Sequence, residues 1–160
     1  MDFAYILSRA VAQGLPLLYG SNGEILNEKS GNLNLGIPGI MVSGGVAGIV
    51  GALIYENSVA EPVGIVGLLV SLLCSVACSL LLSLIYCFLT VTLRANQNVT
   101  GLAMTTFGVG FGNFFGGSLS RLAGGVGQLS TAATASAFRA TIPGLRDIPV
   151  LGDLFFSYGK

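Results

Sequence analysis

Long uncharged stretches dominate the pattern of this chain. Residues 30–55, 62–93 and 95–120 contain no Asp, Glu, Lys or Arg. Each stretch is longer than the ~20 residues that a helix needs to cross the hydrocarbon core of a bilayer. A soluble helix of this length carries a charged or strongly polar face, which these stretches lack. The pattern therefore predicts an all-α integral membrane protein, a polytopic helical bundle in which some transmembrane helices are broken or short.

Four membrane spans follow from the positions of the interruptions. We place them at about 3–27, 33–55, 63–91 and 98–115. The fourth is short and rich in glycine. Residues 118–160 gather charges and prolines and are predicted to lie outside the membrane, with one short amphipathic helix near 129–140. Together residues 1–160 are expected to form a single, partial transmembrane domain.

The amino-acid composition is typical of a membrane protein and argues against several other classes of protein. Charged residues are 9% of the chain, against roughly 25% in soluble domains. The net charge is zero and no basic tract occurs, so no nucleic-acid partner is expected and the principal surroundings are membrane lipid. Histidine is absent, and Cys74, Cys78 and Cys87 share one apolar stretch without a carboxylate nearby. We expect neither a metal site nor a cofactor.

Small residues recur at helical spacing in three of the spans. In a lipid bilayer no hydrophobic driving force brings helices together. Stripes of small residues allow helix backbones to approach closely and pack there. They are more typical of helix–helix contacts than of a substrate lining. The stripes are Gly44, Gly48 and Gly51; Gly67, Ser71, Ser75, Ser79 and Ser83; and Gly101, Gly108, Gly112 and Gly116.

The chain offers no convincing catalytic constellation. Its serines have no histidine and no lysine in a polar setting that could act as a base. The glycines at 108, 110 and 112 lie in an apolar run without a following lysine, so they do not form a phosphate-binding loop. The protein is predicted not to be an enzyme.

Two polar breaks interrupt the apolar pattern. The first polar break is Glu28–Gly39 and the second polar break is Thr90–Gly101. Broken backbone at membrane depth is tolerated only where it is buried in protein or lines a wet cavity, and transporters use it to hold solutes. One interpretation treats both breaks as ordinary solvated turns. The other notes that their uncharged amides suit a neutral, hydroxyl-rich or heterocyclic solute better than an ion.

Both breaks carry a family resemblance. Residues 28–41, EKSGNLNLGIPGIM, with Glu24 before them, resemble the signature GE…ERSGxLNLGIEGMM of inner-membrane permeases of ABC importers. Residues 88–103, FLTVTLRANQNVTGLA, resemble the same family's FLxVxLRANQVVSGLALN. The branch concerned takes up ribose-like sugars and nucleosides. Pro38 stands where the family pattern has Glu, and Thr105 where it has Asn.

The resemblance implies a function and a set of partners. The chain is similar to the N-terminal half of a permease subunit in the cytoplasmic (inner) membrane, crossing it several times. Such a subunit moves nucleosides or simple sugars and works with a cytoplasmic ATP-binding subunit, a second permease subunit and an extracytoplasmic solute-binding protein. The resemblance places Lys29 and Arg94 on the cytoplasmic side and the 56–62 loop outside, although four of the seven Lys and Arg residues lie in 118–160.

Within this interpretation particular residues are expected to carry transport. We expect Asn34, Asn96, Gln97 and Thr105 to face a central polar pathway. Three charged residues are expected to pair at its inner mouth, namely Glu28, Lys29 and Arg94. The alternative hypothesis is a small oligomeric membrane channel, or a structural membrane protein, that works without an ATPase.

Overall fold

The computed structural model describes residues 3–122 and 131–138. Across these residues the chain forms helices and no strand, so the predicted all-α class is confirmed. In chain order the helices are α1 (Phe3–Lys29), α2 (Ile37–Ser58), α3 (Gly64–Cys87) with a π-helical segment (Phe88–Thr92) joined to its end, α4 (Gln97–Leu122) and α5 (Ala132–Phe138).

Two of the described helical units are long and apolar enough to cross a membrane. They are Ile37–Ser58 and the continuous unit Gly64–Thr92. Such a pair supports the membrane fold class by length and composition. The expectation that α1 and α4 also span the bilayer stays a prediction.

The second predicted span begins as a helix at Ile37 rather than near residue 33. The reason is a local turn in which the Asn34 side-chain Oδ1 accepts a hydrogen bond from the Gly36 N–H at 2.9 Å. An asparagine that bonds the backbone two residues on competes with helix formation. Pro38 then occupies the first turn of α2, where its missing N–H costs nothing.

The third predicted span changes its hydrogen-bond pattern before it ends. The Leu93 N–H donates to the Phe88 carbonyl at 3.1 Å, a spacing of five residues that widens the helix. Within this π segment the Thr90 hydroxyl donates to the Tyr86 carbonyl at 2.9 Å, and such back-bonding commonly perturbs a helix. Arg94 follows with a φ of 52°, a left-handed conformation that turns the chain toward α4.

Helix α2 is central and lies directly against α4 on one side. A Cβ atom added to Gly39 would lie 2.6 Å from the Cα of Thr105, and one added to Gly108 would collide with the backbone of Gly39. Only hydrogen atoms fit at these two positions, so the backbones of α2 and α4 touch. The predicted close contact through the glycines of the fourth span is confirmed here.

On its other side α2 packs against α3. A Cβ on Gly48 would lie 3.2 Å from the Ser71 carbonyl oxygen, and one on Gly51 would lie 2.7 Å from the Cys74 Sγ. The small-residue stripes of the second and third spans therefore face each other, which confirms the prediction that they make helix–helix contacts. The thiol of Cys74 is part of this helix contact.

The two ends of the described chain contribute less to the bundle. Among the described helices, α1 contacts only α2. Helix α5 lies against α3 and the end of α2, where the Thr134 N–H donates to the Glu56 carboxylate at 2.8 Å. Helix α5 falls inside the short helix predicted near 129–140. Most of the predicted extramembrane segment 118–160 lies outside the described residues.

Candidate functional site

The two polar breaks, far apart in sequence, meet at one end of the bundle. Gln97, the first residue of α4, makes the connection through both ends of its amide. Its Oε1 accepts a hydrogen bond from the Leu33 N–H at 2.9 Å, and its Nε2 donates to the Asn32 Oδ1 at 2.9 Å. The Nε2 also lies 3.4 Å from the Gly31 carbonyl oxygen. The Gln97 side chain therefore pairs with the Leu33 N–H and the Gly31 carbonyl, backbone groups that follow the end of α1.

Two further side chains, those of Glu24 and Tyr86, form hydrogen bonds with the backbone of the first polar break. The Asn34 N–H donates to the Glu24 Oε1 of α1 at 2.8 Å. The Tyr86 hydroxyl of α3 donates to the Leu33 carbonyl oxygen at 2.6 Å. Side chains from three helices, α1, α3 and α4, therefore form hydrogen bonds with the backbone between α1 and α2.

The backbone of the first polar break also lies directly on α4. The Thr105 hydroxyl donates to the Leu35 carbonyl oxygen at 2.5 Å. A Cβ added to Gly101 would lie 2.8 Å from the Leu35 N, and one added to Gly36 would lie 2.9 Å from the Met104 Cβ. Glycine at these positions allows the break to sit on the helix without a gap.

A cavity of about 370 Å³ opens beside this junction, between α1 and α2. Its volume lies in the range of about 300–1,000 Å³ typical of small-molecule sites. The lining residues are Pro16, Tyr19, Gly20, Gly23, Asn27, Asn34, Ile37, Ile40, Met41 and Ser83. The walls are mainly apolar, with a few polar side chains among them.

Asn34 is the predicted pathway residue that lines this cavity. It is buried, with only 6% of its surface exposed. Its Oδ1 is occupied by the Gly36 N–H, whereas its Nδ2 has no hydrogen-bond partner among the described residues. The Glu24 carboxylate that holds the Asn34 backbone has a second oxygen, Oε2, that is buried and likewise without a partner in the described part of the chain.

The other three predicted pathway residues have clear positions. Gln97 and Thr105 bond the backbone of the first polar break, as described above. Asn96 is exposed and caps α4, because its Oδ1 accepts hydrogen bonds from the N–H groups of Asn98 at 3.0 Å and Val99 at 3.3 Å. The structure brings Gln97 and Thr105 together with the segment that holds Asn34. That these residues face a solute pathway stays a prediction.

The three predicted inner-mouth charges lie at the same end of the bundle. Glu28 and Lys29 are exposed in the last turn of α1, and Arg94 is exposed between the π segment and α4. Lys29 sits favourably at the negative end of the helix dipole. No ion pair joins these three side chains, all of which are within the described residues, so their pairing also stays a prediction.

Sequence reasoning missed two residues that build the junction. Glu24 was visible as a carboxylate inside a helix and as part of the family motif, but its contact with Asn34 depends on how α1 folds back toward α2. Tyr86 gave no signal, since an aromatic residue in an apolar span is indistinguishable from a lipid-facing one. Only its hydroxyl, bonded to the Leu33 carbonyl, shows its role.

The chain matches known transport proteins along nearly all of its length. It is 32% identical over 161 residues to the guanosine ABC transporter permease protein NupQ of Bacillus subtilis, covering 98% of this chain and 48% of that relative. It is 30% identical over 159 residues to a protein named as a glucose ABC transporter permease, TsgC13, of Haloferax volcanii, covering 98% and 43%. The chain thus spans about half the length of these relatives. No solved structure matches it.

A family model agrees with these relatives. The model described as branched-chain amino acid transport system / permease component matches residues 6–151, which include both polar breaks and every described helix but the start of α1. The chain belongs to this permease family.

Proposed function

We infer that this chain supplies the N-terminal half of the membrane-spanning permease of an ABC importer for nucleosides or simple sugars. The observation that carries the inference is the junction of the two polar breaks through Gln97, in a chain that belongs to a permease family. Discontinuous helices that meet in this way are the arrangement by which transporters bind solutes. The relatives named for guanosine and glucose support a neutral solute.

In this proposal the permease itself carries out no chemistry. It binds no ATP, and access alternates as groups of helices rock about the polar breaks. A cytoplasmic ATP-binding subunit supplies the energy, a second permease subunit completes the pathway, and an extracytoplasmic solute-binding protein delivers the solute. Lys29 and Arg94 lie on the cytoplasmic side of the inner membrane and the 56–62 loop lies outside.

The site residues have distinct roles in the proposal. Asn34 offers its free Nδ2 to the solute from the cavity wall. Gln97 and Thr105 keep the first polar break in place against α4, and Asn96 sets where α4 begins. The charges Glu28, Lys29 and Arg94 pair at the inner mouth when the complete assembly brings them together.

The test is purification of the chain from native membranes in mild detergent, with mass spectrometry of the proteins that co-purify. Recovery of a nucleotide-binding ATPase and further permease polypeptide is the expected result. Recovery of this chain alone as a homo-oligomer would overturn the importer proposal and favour the channel hypothesis.

A second test examines the pathway residues in the assembled importer. Asn34→Ala and Asn96→Ala are each expected to reduce solute uptake into membrane vesicles, because one removes the cavity donor and the other the cap of α4. Unchanged uptake in both variants would contradict the assignment of these residues to the pathway.

A further inference from the structure

We propose that Glu24 and Tyr86 are positioning residues that link α1 to α3 beside the cavity. Both side chains bond the same peptide group, the one between Leu33 and Asn34, and we call these two hydrogen bonds the α1–α3 link. Neither residue lines the cavity. The inference rests on the proposed function, because the α1–α3 link sets the position of Asn34 in the cavity wall.

The two hydrogen bonds meet opposite edges of one rigid unit. The Asn34 N–H donates to the Glu24 Oε1 at 2.8 Å, and the Tyr86 hydroxyl donates to the Leu33 carbonyl oxygen at 2.6 Å. This N–H and this C=O belong to one planar trans peptide group, in which they point in opposite directions. Glu24 and Tyr86 therefore hold the peptide group from its two sides.

The peptide group joins two helices that make no direct contact with each other. Among the described helices, α1 contacts only α2. Residues of α1 and Ser83 of α3 both line the cavity. Glu24 lies more than one turn before the end of α1 at Lys29, so its hydrogen bond adds to the covalent connection there. A shift of α1 relative to α3 therefore strains or breaks one of the two bonds.

The surroundings of the two side chains indicate positioning rather than packing alone. Tyr86 is buried in a cluster with Ile40 and Met104, so its hydroxyl is held at a fixed place. Glu24 keeps its second oxygen, Oε2, buried without a hydrogen-bond partner among the described residues. Burying an incompletely paired carboxylate costs free energy, and an apolar residue would serve packing better.

The linked peptide group determines how the next side chain is directed. Asn34 follows the peptide group directly and lines the cavity. Rotation of the peptide plane changes the φ of Asn34 and with it the direction of its side chain. With both hydrogen bonds in place this rotation is blocked. Loss of either bond frees the peptide group, so Glu24 and Tyr86 act as a unit.

NMR of the full chain in lipid nanodiscs tests the α1–α3 link directly. Tyr86→Phe removes only the hydroxyl, and we expect it to accelerate hydrogen exchange at the Asn34 amide about fivefold or more, although Tyr86 does not bond that amide. In the reverse direction, Glu24→Leu is expected to shift the carbonyl carbon resonance of Leu33. An unchanged Asn34 amide in Tyr86→Phe would overturn the proposal.

Two further variants separate the α1–α3 link from a general loss of stability. Tyr55→Phe also removes a hydroxyl that bonds the backbone, since the Tyr55 hydroxyl accepts from the Val63 N–H at 3.2 Å, and it is expected to leave the Asn34 amide unchanged. Glu24→Gln keeps an acceptor for that amide and is expected to accelerate its exchange less than Glu24→Leu does. Equal acceleration by Tyr55→Phe and Tyr86→Phe would overturn the proposal.

Uptake by the assembled importer tests whether the α1–α3 link positions the site. The probe is tritiated guanosine or glucose, whichever the parent importer takes up. Tyr86→Phe and Glu24→Leu are each expected to raise the KM about fivefold with little change in maximum rate. Because both act on one peptide group, the double variant is expected to match the larger single effect.

Unchanged KM values, or a double effect equal to the product of the single effects, would overturn the proposal. Absence of uptake by the parent importer would count against the proposed function instead. The NMR measurements need no ATPase and no solute, so they test the α1–α3 link in either case.

Discussion

Helix α2 and the unit Gly64–Thr92 are both long and apolar enough to cross a membrane, yet they differ sharply in how much of each is buried against the rest of the described chain. Of the most apolar 18 residues of Ile37–Ser58, 44% are buried in the described chain, against 6% for Gly64–Thr92. Helix α2 carries glycines toward both α3 and α4, whereas α3 presents small residues on one face and large apolar side chains on the others. The comparison indicates that α2 is central because its glycines allow close approach on two faces, toward α3 and toward α4.

The largest expected effect comes from placing a charge on the exposed face of α3. Leu81 is 63% exposed, and we expect Leu81→Arg to cost about 2.5–3.5 kcal/mol of insertion free energy because it places a charge near the middle of a helix long and apolar enough to cross a membrane. The measurement is insertion into microsomal membranes with glycosylation reporters. Val59→Arg, at the end of α2, serves as the control because its side chain can reach the interface. Equal insertion of both variants would contradict the assignment of α3 as a membrane span.

A substitution at the α2–α4 contact is expected to have the next largest effect. Gly108→Ala places a methyl group against the Gly39 backbone, so we expect about 1–3 kcal/mol of destabilisation. The matched control is Gly110→Ala on the same helix, where the added methyl meets nothing within 4 Å. The control is expected to stabilise by up to about 1 kcal/mol through helix propensity. Reversible unfolding in mixed micelles measures both, and equal changes would refute the contact.

Loss of the Gln97 side chain is expected to loosen the junction of the polar breaks. Gln97→Ala removes the acceptor for the Leu33 N–H and the donor to Asn32, which we expect to cost about 1–3 kcal/mol. Hydrogen exchange should accelerate at the Leu33 amide. Asn98→Ala, an exposed neighbour whose side chain bonds nothing in the described chain, should leave that amide protected.

The smallest expected effect lies at the α2–α3 contact. Gly48→Ala brings a methyl group to 3.2 Å from the Ser71 carbonyl oxygen, a contact that a small shift of α3 relieves. We expect a change of about 1 kcal/mol or less in unfolding free energy, because helix propensity offsets part of the strain. Gly45→Ala, which meets nothing within 4 Å, is the control. A loss of unfolding free energy larger than that of Gly108→Ala would show that the α2–α3 contact tolerates an added methyl group less well than the α2–α4 contact does.

The sequence allowed the helices and the faces used for helix contacts to be predicted because both depend on local patterns, but it did not show which helices pair. Uncharged runs defined the spans, and glycine and serine at four-residue spacing identified the faces that meet. The start of α2 was harder to predict from the sequence, because it depends on a turn that the Asn34 side chain makes. The π segment after Cys87 was not predictable, because an apolar run shows no preference between the two hydrogen-bond spacings.

The candidate site was predictable only as a list of residues. The two polar breaks and their amides were visible, but nothing in the chain indicates that Gln97 pairs with a segment 64 residues earlier. The burial of Glu24 Oε2 without a partner among the described residues depends on the tertiary contact between Glu24 and the Asn34 backbone. Long-range hydrogen bonds of this kind follow from the packing of α2 against α4 rather than from any local spacing.

The joining of the two polar breaks by Gln97 and Asn32 is the central claim, and a double-mutant cycle tests it most directly. Unfolding free energies are measured for the parent chain, Asn32→Ala, Gln97→Ala and the double variant. Because the two side chains share a hydrogen bond of 2.9 Å, we predict a coupling energy of at least about 0.5 kcal/mol. Additive effects, with a coupling near zero, would contradict the claim that the Asn32 and Gln97 side chains join the two polar breaks.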